Sequence, residues 1–336
     1  MKKVSVIIPV FNVAPFLPTC LNSCLNSTLQ EIEFICVNDG STDNSLDILQ
    51  QYAQKDPRFT ILSQENMGQG VARNKAIQMA QGEYIAFVDP DDYIEPTLFE
   101  KTYNFALQNQ ADVVQFDYTE YRENTHKYKK INLAKKFKKE YHFNLNKKGK
   151  YTKQDIPYGL FYNLYNQVWN RLYRKDLILK NNIHFSNTRN GEDQLFTIGV
   201  LIFANEIHYL NDYLYTYRVR QGSSCHSYVD ADIDYAFKNI AQIEAYLRSH
   251  NIYDTYLPQM SEYRVQSLYW VRSKLRPEMI EKFETEIKKI LSKEEFDSYT
   301  KLCFPRKGIL KFFARLRGNW YAKRCITDYS YHLQPG

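Results

Sequence analysis

Three carboxylates stand close together directly after an apolar run in the first third of the chain. Residues 84–88 are rich in β-formers and are typical of a buried parallel strand, and Asp89, Asp91 and Asp92 follow at once. Carboxylates this close repel one another unless a cation or a donor-rich ligand lies between them. Mn²⁺ or Mg²⁺ holding a diphosphate is the expected occupant, because both ions prefer oxygen ligands. An acidic cap on the following helix is the structural alternative.

The elements that position these acids follow one another in regular alternation. The sequence predicts short apolar strands, with helices between them, at residues 4–10, 34–38, 59–62, 84–88 and 113–118. Strands that alternate with helices build an α/β fold with a mostly parallel, Rossmann-like sheet flanked by helices. The acid cluster then lies at the carboxyl end of its strand, which is where open α/β sheets bind ligands.

The length of 336 residues and the uneven charge indicate two parts. Residues 1–225 carry the alternating elements and form the first domain. A lysine-rich segment, 119–150, interrupts them and is expected to be an exposed insertion, with ten lysines against the single acid Glu140 in residues 127–150. Residues 226–336 have helical periodicity and form a C-terminal region with a basic tail.

The basic tail, residues 306–324, has apolar side chains at helical spacing and is predicted to be a basic amphipathic helix. Such a helix binds an anionic membrane surface or docks on its own domain, and both alternatives stay open. Nucleic acid is not an expected partner, since no recognised module accompanies the charge. The N-terminal apolar run is expected to be the first strand and not a signal peptide. The sequence has no apolar run of about 18 residues and no zinc or CxxC spacing among its six cysteines. We expect a cytoplasmic protein with peripheral contact to the inner face of the cell membrane.

Five motifs taken together resemble one enzyme family. They are residues 4–12 (VSVIIPVFN), 37–43 (VNDGSTD), 66–68 (NMG), 72–74 (ARN) and 89–92 (DPDD). In order and spacing they are similar to family 2 inverting glycosyltransferases of the type that builds bacterial surface polysaccharide or lipooligosaccharide. The resemblance implies the GT-A fold over about residues 4–220. Asn38 departs from the family's usual Asp, and Ser27 stands where a Gln often precedes Thr.

The resemblance implies a nucleotide site at the ends of the first strands. Asp39 would accept the imide N–H of the base in a charge-assisted bond of about 1.5–3 kcal/mol, or it caps the following helix. Arg73 is similar to the family's base-contacting arginine, or it pairs with Glu65 or Asp39. Arg218 or Arg220 would neutralise the departing diphosphate. The expected nucleotide-binding residues are Pro9, Phe11, Asp39, Arg73, Asp89 and Arg218.

The resemblance also divides the acid cluster by role. Asp89 is expected at the ribose hydroxyls and Asp91 at the Mn²⁺ or Mg²⁺ that bridges the two phosphates. Asp92 is expected on the acceptor side or in loop structure, and the order of the three roles can shift by one position. His226 completes the metal shell or stays exposed to solvent. Trp169 forms a platform for the acceptor sugar or packs in the core.

Inverting transfer further requires a general base, because the acceptor hydroxyl loses its proton as it attacks. One carboxylate is enough, unlike the pair that glycoside hydrolases use. Glu192 and Asp193 match the family's Glu-Asp motif at the start of a helix. We expect Asp193 to be the base and Glu192 to orient it or to bind acceptor hydroxyls. An ordinary helix cap is the alternative, and the helix dipole is expected to keep these carboxylates ionised.

These features favour an inverting glycosyltransferase that moves a sugar from a nucleotide-sugar, a UDP-sugar first of all, to a glycan or lipid-linked glycan. A sugar-phosphate nucleotidyltransferase is one alternative, but it needs a glycine-rich, basic loop after the first strand, and residues 10–12 have none. A non-catalytic nucleotide-sugar-binding protein is the other alternative. The presence of Asp39, Asp91 and Asp193 together argues against it.

Overall fold

The computed structural model describes residues 1–140, 145–146, 149–156, 161, 167–220 and 232–303. The strands are β1 Val4–Val10, β2 Ile32–Asp39, β3 Phe59–Gln64, β4 Tyr84–Phe87, β5 Tyr93–Ile94, β6 Val113–Arg122, β7 Lys127–Ile131, β8 Lys150–Tyr151, β9 Arg171–Arg174 and β10 Ile207–Val219. The helices are α1 Leu17–Leu25, α2 Ser45–Lys55, α3 Gln69–Met79, α4 Leu98–Asn109, α5 Leu133–Glu140, α6 Lys175–Lys180, α7 Asp193–Phe203, α8 Asp232–Ser249, α9 Leu257–Arg272, α10 Pro277–Ile287 and α11 Lys293–Cys303.

The strands of the described chain form one sheet in the order β3-β2-β1-β4-β9-β6-β10-β5, with β7 beside β6 and β8 beside β10. Strands β1 to β4 are parallel. Strand β9 runs antiparallel to both β4 and β6, and β10 is parallel to β6. The predicted α/β class is confirmed, and the sheet is mixed in its second half. Because β9 reverses direction between them, β4, β6 and β10 all end at the same edge as β1 and β2.

The two central strands β1 and β2 are buried along their whole length. Their continuous valine and isoleucine runs suit a parallel strand covered on both faces. Polar side chains of these strands can therefore reach a ligand only at the strand ends. Asp39 is the last residue of β2, and the acid cluster follows β4.

The lysine-rich segment is more regular than the sequence predicts. Strand β6 continues to Arg122, turns, and pairs antiparallel with β7 in the register Tyr121 with Tyr128. Helix α5 follows. Lysine has a low preference for strands, so a segment rich in lysine gives little sequence signal for β7. Residues 124–130 are exposed, as expected of an insertion, and they include most of a regular strand.

The chain divides into two compact units. The first contains the sheet and consists of Met1–Asn132, Leu145–Lys153 and Asn166–Ile243. The second consists of Leu133–Asn144, Gln154–Tyr165 and Glu244–Gly336. In the second unit, α9 packs against α10 and α11, and these elements have the helical character that the sequence predicts. None of the described helices has the length and apolar character that a bilayer crossing requires.

Four buried aromatic rings connect the end of β4 with the start of α7. Phe87 is the last residue of β4, and its ring centroid lies 5.2 Å from Phe185 and 5.4 Å from Phe196. Phe185 and Phe196 stack at 4.3 Å, and Tyr173 of β9 meets Phe87 edge-on at 5.7 Å. Such contacts add to the free energy gained by burying each ring. The cluster thus holds two chain segments that both carry carboxylates.

Phe196→Ala should lower the free energy of unfolding by about 3–5 kcal/mol, because it removes a fully buried ring and leaves a cavity among three others. Phe196→Leu keeps part of that volume and should cost less. Chemical denaturation followed by circular dichroism measures both changes. Phe11→Ala, at a ring that is 38% exposed, is the control and should cost less than about 1 kcal/mol. Equal losses for the two alanine variants would contradict the role of the cluster.

Candidate active site

Residues distant in sequence meet at the carboxyl edge of the sheet. Strand β1 pairs in parallel with both β2 and β4. Pro9 is buried inside β1, whereas Phe11 just beyond its end presents a ring that is 38% exposed. Asp39 ends β2, and Asp89 begins the acid cluster after β4. This edge is where an open α/β sheet binds its ligand.

Asp39 holds the turn that leads into α3. Its Oδ1 accepts hydrogen bonds from Gln64 Nε2 at 2.8 Å and from the Met67 amide at 2.9 Å, and its Oδ2 accepts one from the Gly68 amide at 2.8 Å. Gly68 has φ +92°, a conformation that favours glycine. Asp39 is 3% exposed. Both carboxylate oxygens of Asp39 therefore accept hydrogen bonds from the protein itself. The cap expected from the sequence was on α2, whereas Asp39 binds the turn before α3.

Arg73 lies at the centre of the site. Its Nη1 donates to Glu192 Oε1 at 3.0 Å and its Nη2 donates to Asp89 Oδ1 at 2.9 Å, while the guanidinium lies 5.2 Å over the Phe185 ring. Burial acts to lower the pKa of Arg73, but the charges of Asp89, Glu192 and Asp193 outweigh it and raise the pKa. The side chain is 3% exposed. In this structure Arg73 bridges two carboxylates, and its contact with a nucleotide base stays a prediction.

A glycine allows α3 to approach the segment before α7. A Cβ at Gly70 would lie 2.5 Å from the Ser186 carbonyl oxygen and 3.1 Å from Glu192 Cβ. The Ser186 amide donates to the Glu192 carbonyl at 3.0 Å, and Gln69 Nε2 donates to Glu192 Oε1. Any side chain at position 70 would separate the two segments. Glu192 is therefore positioned by α3 as well as by its own helix.

Glu192 and Asp193 open helix α7 after Gly191, whose φ is +73°. Burial raises the pKa of Glu192 although Arg73 acts to lower it. Burial and the Glu192 charge raise the pKa of Asp193 well above its usual range. The sequence predicted that the helix dipole would keep these groups ionised, and burial outweighs that effect. No other side chain in the described part of the chain donates a hydrogen bond to the Asp193 carboxylate.

Asp92 is fully buried and serves the loop, which is the second of its two expected roles. Its Oδ2 accepts a hydrogen bond from the Tyr215 hydroxyl at 2.7 Å, and its Oδ1 accepts one from the Arg218 amide at 2.7 Å. The Tyr215 hydroxyl oxygen in turn accepts the Asp89 amide at 3.1 Å. Burial, Asp91 and Asp89 raise the pKa of Asp92 well above its usual range. An acceptor contact of Asp92 is wrong for this structure, because the carboxylate has no exposed surface.

Two arginines from the end of β10 lie against Asp91. Arg220 Nε donates to Asp91 Oδ2 at 2.9 Å, and Arg218 Nε donates to the Asp91 carbonyl at 2.8 Å. The guanidinium of Arg218 lies over the rings of Phe16, Tyr93 and Tyr121 at 5.3–5.8 Å. Arg218 is therefore held inside an aromatic cage, and Arg220 is the arginine that pairs with the carboxylate.

The comparisons with known proteins identify the family of this chain. A family model described as Glycosyl transferase family 2 matches residues 5–177. The chain is a family 2 glycosyltransferase. It is 32% identical over 266 residues to the putative glycosyltransferase EpsH of Bacillus subtilis. The aligned region covers 78% of this chain and 74% of EpsH.

Two solved structures show the fold. The protein TarS 1-349 of S. aureus, in complex with UDP-GlcNAc, has a TM-score of 0.67 at 22% identity and covers 98% of this chain and 92% of that one. The mannosyltransferase PcManGT of Pyrobaculum calidifontis, in complex with GDP-Man and Mn²⁺, has a TM-score of 0.51 at 13% identity and covers 99% of this chain and 88% of that one. The GT-A fold predicted for this family 2 glycosyltransferase is confirmed.

Trp169 packs in the core of the glycosyltransferase, which is the second of its two expected roles. Its ring stacks on Tyr215 at 4.5 Å and on Tyr217 at 5.4 Å, and Tyr118 meets it edge-on at 4.8 Å. The residue is 5% exposed, so the indole cannot serve as a platform for an acceptor sugar. His226 and the basic tail at 306–324 lie outside the described residues.

Asp91 fits a divalent cation that a substrate diphosphate helps to hold. The described residues contain no group of three or more metal-binding side chains that could enclose an ion by themselves. Mg²⁺ needs only one or two carboxylates when phosphates complete its shell. Asp91 supplies one carboxylate at the carboxyl edge, and among the described residues this carboxylate forms an ion pair with Arg220. Asp89 is 24% exposed and turns only its Oδ1 to Arg73.

Sequence reasoning missed two side chains of this site. Gln69 lies four residues before Arg73 in α3, and both contact Glu192. That spacing places two residues on one helix face, so it was a usable signal. Tyr215 supports the acid cluster from β10. Its place among 28 tyrosines gave no signal, because only the pairing of β10 with the rest of the sheet brings it there.

Asp193→Asn should stabilise the folded protein at pH 7 by about 1–2 kcal/mol, because it removes a carboxylate whose folded pKa is raised. A raised carboxyl pKa leaves stability intact below the unfolded value of about 3.9 and lowers it as pH rises from there towards the folded pKa. The gain should therefore vanish near pH 3.5. Thermal unfolding across this pH range measures it. A gain of equal size at both pH values would contradict the raised pKa.

Proposed function

We propose that this family 2 glycosyltransferase transfers a sugar from a UDP-sugar to a glycan hydroxyl with inversion at the anomeric carbon and with help from Mn²⁺ or Mg²⁺. The observation that carries the proposal is the bridge from Asp89 through Arg73 to Glu192. It joins the acids after β4, where a diphosphate is expected, to the start of α7 and Asp193. Donor-side and acceptor-side carboxylates thus belong to one charge cluster.

The donor is proposed to lie along the carboxyl edge of β1, β2 and β4. Phe11 offers an exposed ring to the base, and Asp89 has one oxygen that accepts no hydrogen bond from any described residue. Asp39 acts on the base site through the turn that it holds. The solved TarS protein of the same fold holds UDP-GlcNAc, which supports a uridine nucleotide here.

The divalent cation is proposed to bind Asp91 together with the diphosphate. A bound ion would neutralise the charge that develops on the diphosphate as it departs. The solved protein PcManGT holds GDP-Man and Mn²⁺, which supports this cofactor. Arg220 pairs with Asp91 in the structure and is proposed to neutralise the departing diphosphate. Arg218, caged by three rings, holds the backbone of Asp91 in place.

Asp193 is proposed to be the general base. The acceptor oxygen forms its bond to the anomeric carbon while the bond from that carbon to the diphosphate oxygen breaks, and the hydroxyl proton passes to Asp193. A carboxylate with a raised pKa accepts a proton at neutral pH better than an ordinary one. Glu192, held by Arg73 and Gln69, is proposed to orient the start of α7.

The product is proposed to be a cell-surface polysaccharide or lipooligosaccharide. The motif resemblance supports this class, and the basic tail in the sequence supports peripheral contact with an anionic membrane. A non-catalytic nucleotide-sugar-binding protein would have no use for Asp193, a half-buried carboxylate whose raised pKa lowers stability at neutral pH.

Asp193→Asn should lower kcat by roughly 10²–10⁴-fold, because the amide has nearly the same shape but cannot take the proton. UDP affinity should change by less than about threefold, since Asp193 makes no donor contact in the proposal. Product release with a panel of UDP-sugars and UDP titration calorimetry measure the two effects, and Asp47→Asn, at an exposed position, is the control. Near-normal turnover would move the base to another residue.

Asp91→Asn should abolish the effect of the cation on the donor. The wild type should bind UDP roughly tenfold more tightly with Mn²⁺ than with EDTA, because the ion joins Asp91 to the diphosphate. The variant should bind UDP equally in both buffers and should keep its circular dichroism spectrum. Full turnover in excess EDTA would contradict the cation requirement.

A further inference from the structure

The β6–β7 hairpin presents an aromatic face at the edge of the sheet where the acid cluster lies. Tyr121 of β6 and Tyr128 of β7 are opposite each other in the antiparallel pair, so their side chains share one face. Their ring centroids are 4.8 Å apart with an interplanar angle of 31°. Tyr128 is 63% exposed. We name the face that Tyr121, Tyr128 and Lys130 share the tyrosine face.

The tyrosine face is connected to the candidate active site. The Arg218 guanidinium lies 5.5 Å over the Tyr121 ring and also donates to the Asp91 carbonyl. Tyr93, two residues after Asp91, donates its hydroxyl to the Tyr128 hydroxyl at 3.3 Å. All the residues that make these contacts belong to the unit that contains the sheet. A ligand on the tyrosine face would therefore be adjacent to the acids that are proposed to hold the donor.

The charge around the tyrosine face is positive. Lys127, Lys129 and Lys130 are exposed, and none of them forms an ion pair with a carboxylate of the described chain. The acids of the hairpin are engaged elsewhere, since Glu120 lies 3.8 Å from Arg122 and Glu123 lies 3.5 Å from Arg218. Lys130 lies on the tyrosine face itself and Lys129 on the opposite face, because side chains alternate along a strand.

We propose that the tyrosine face binds the acceptor, and that the acceptor is an anionic glycan, one whose sugars carry phosphate or carboxylate groups. Exposed tyrosine rings give a rigid apolar surface with a hydroxyl at its edge, which suits the faces and hydroxyls of sugars. The lysines of the hairpin pair with no carboxylate of the described chain, and the Lys130 ammonium lies 4.8 Å from the centroid of the Tyr213 ring. Positive charge of this kind suits an anionic ligand, whereas a neutral sugar does not need it. The inference rests on the proposed function and adds to it the chemical class of the acceptor.

Edge protection is the competing explanation for the lysines. Strand β7 pairs with β6 alone within the described sheet, and lysines on an edge strand prevent pairing between molecules. Edge protection works with a lysine on either face of β7, so Lys129 and Lys130 would serve equally well. It does not explain why Tyr128 is exposed. Binding on the tyrosine face instead requires Lys130 and Tyr128 and is indifferent to Lys129. The two explanations therefore differ in which single variant has an effect.

The test uses the full chain and a matched pair of probes, pentamannose carrying a 6-phosphate and the same pentamannose after phosphatase treatment. Titration calorimetry should show binding of the phosphorylated probe that weakens as salt is raised, and much weaker binding of the neutral one. Tyr128→Ala and Lys130→Ala should each weaken the phosphorylated probe roughly fivefold to tenfold. Lys129→Ala, the control from the opposite face, should change it by less than about twofold.

Several outcomes would overturn the proposal. They are equal binding of the two probes, no binding of the phosphorylated probe to the wild type, and equal effects of Lys129→Ala and Lys130→Ala. Aggregation of both lysine variants with unchanged probe binding would leave edge protection as the role of the lysines. Lysine-dependent binding to phosphatidylglycerol vesicles without binding to the phosphorylated probe would make the partner a membrane.

UDP titration of the same variants separates this inference from the proposed function. The Tyr128→Ala, Lys129→Ala and Lys130→Ala variants should all bind UDP like the wild type, because the hairpin contributes no proposed donor contact. Failure of the wild type to bind UDP would reject the proposed donor site. If UDP binds normally but Tyr128→Ala and Lys130→Ala do not weaken binding of the phosphorylated probe, only the proposed acceptor face is rejected.

Discussion

The charge of Arg73 is almost completely removed from water and is shared by Asp89 and Glu192, and the geometry of the site depends on that sharing. The two contacts measure 2.9 and 3.0 Å. A charge that loses its hydration is stable only where partners replace it, and removing one partner of such a group costs roughly 3–5 kcal/mol. The start of α7 is therefore bound to the end of β4 through α3, although 119 residues separate Arg73 from Glu192. The close approach at Gly70 and the ring of Phe185 complete this arrangement.

The same region contains more carboxylates than Arg73 can neutralise. Burial raises the pKa of Asp89, Asp92 and Asp193, and neighbouring acids raise these values further. Buried acids in contact with one another reduce the stability of a fold at neutral pH, so they are found where a ligand or a reaction requires them. The structure limits this loss of stability, because Arg218 at the end of β10 and Arg220 just after it both contact Asp91.

Strand β10 links the first half of the sheet to the second. Through Tyr215 it supports the backbone of Asp89 and the carboxylate of Asp92, and through its arginines it supports Asp91. It is also parallel to β6, whose extension forms the hairpin with β7. The donor acids and the tyrosine face are thus parts of one continuous group of strands. A change in the register of β10 would move both the donor acids and the tyrosine face, because β10 contacts the acids through its side chains and pairs with β6 along its backbone.

Local sequence patterns were enough to predict the alternation of strands and helices, the placement of Asp39 and Asp89 at strand ends, and the start of a helix at Glu192 and Asp193. These features depend on local periodicity and on residues that are neighbours in the chain, so a pattern is enough to predict them. Motif order was likewise sufficient for the family.

The contacts of the polar side chains, in contrast, became known from the three-dimensional structure. No pattern in the sequence could show that Arg73 bridges two acids, that Asp92 and Trp169 are buried, or that the lysine-rich insertion contains β7. In each case the outcome depends on a partner far away in the chain. Burial and pairing are properties of the segments that meet, and periodicity in one segment carries no information about which other segment will cover it.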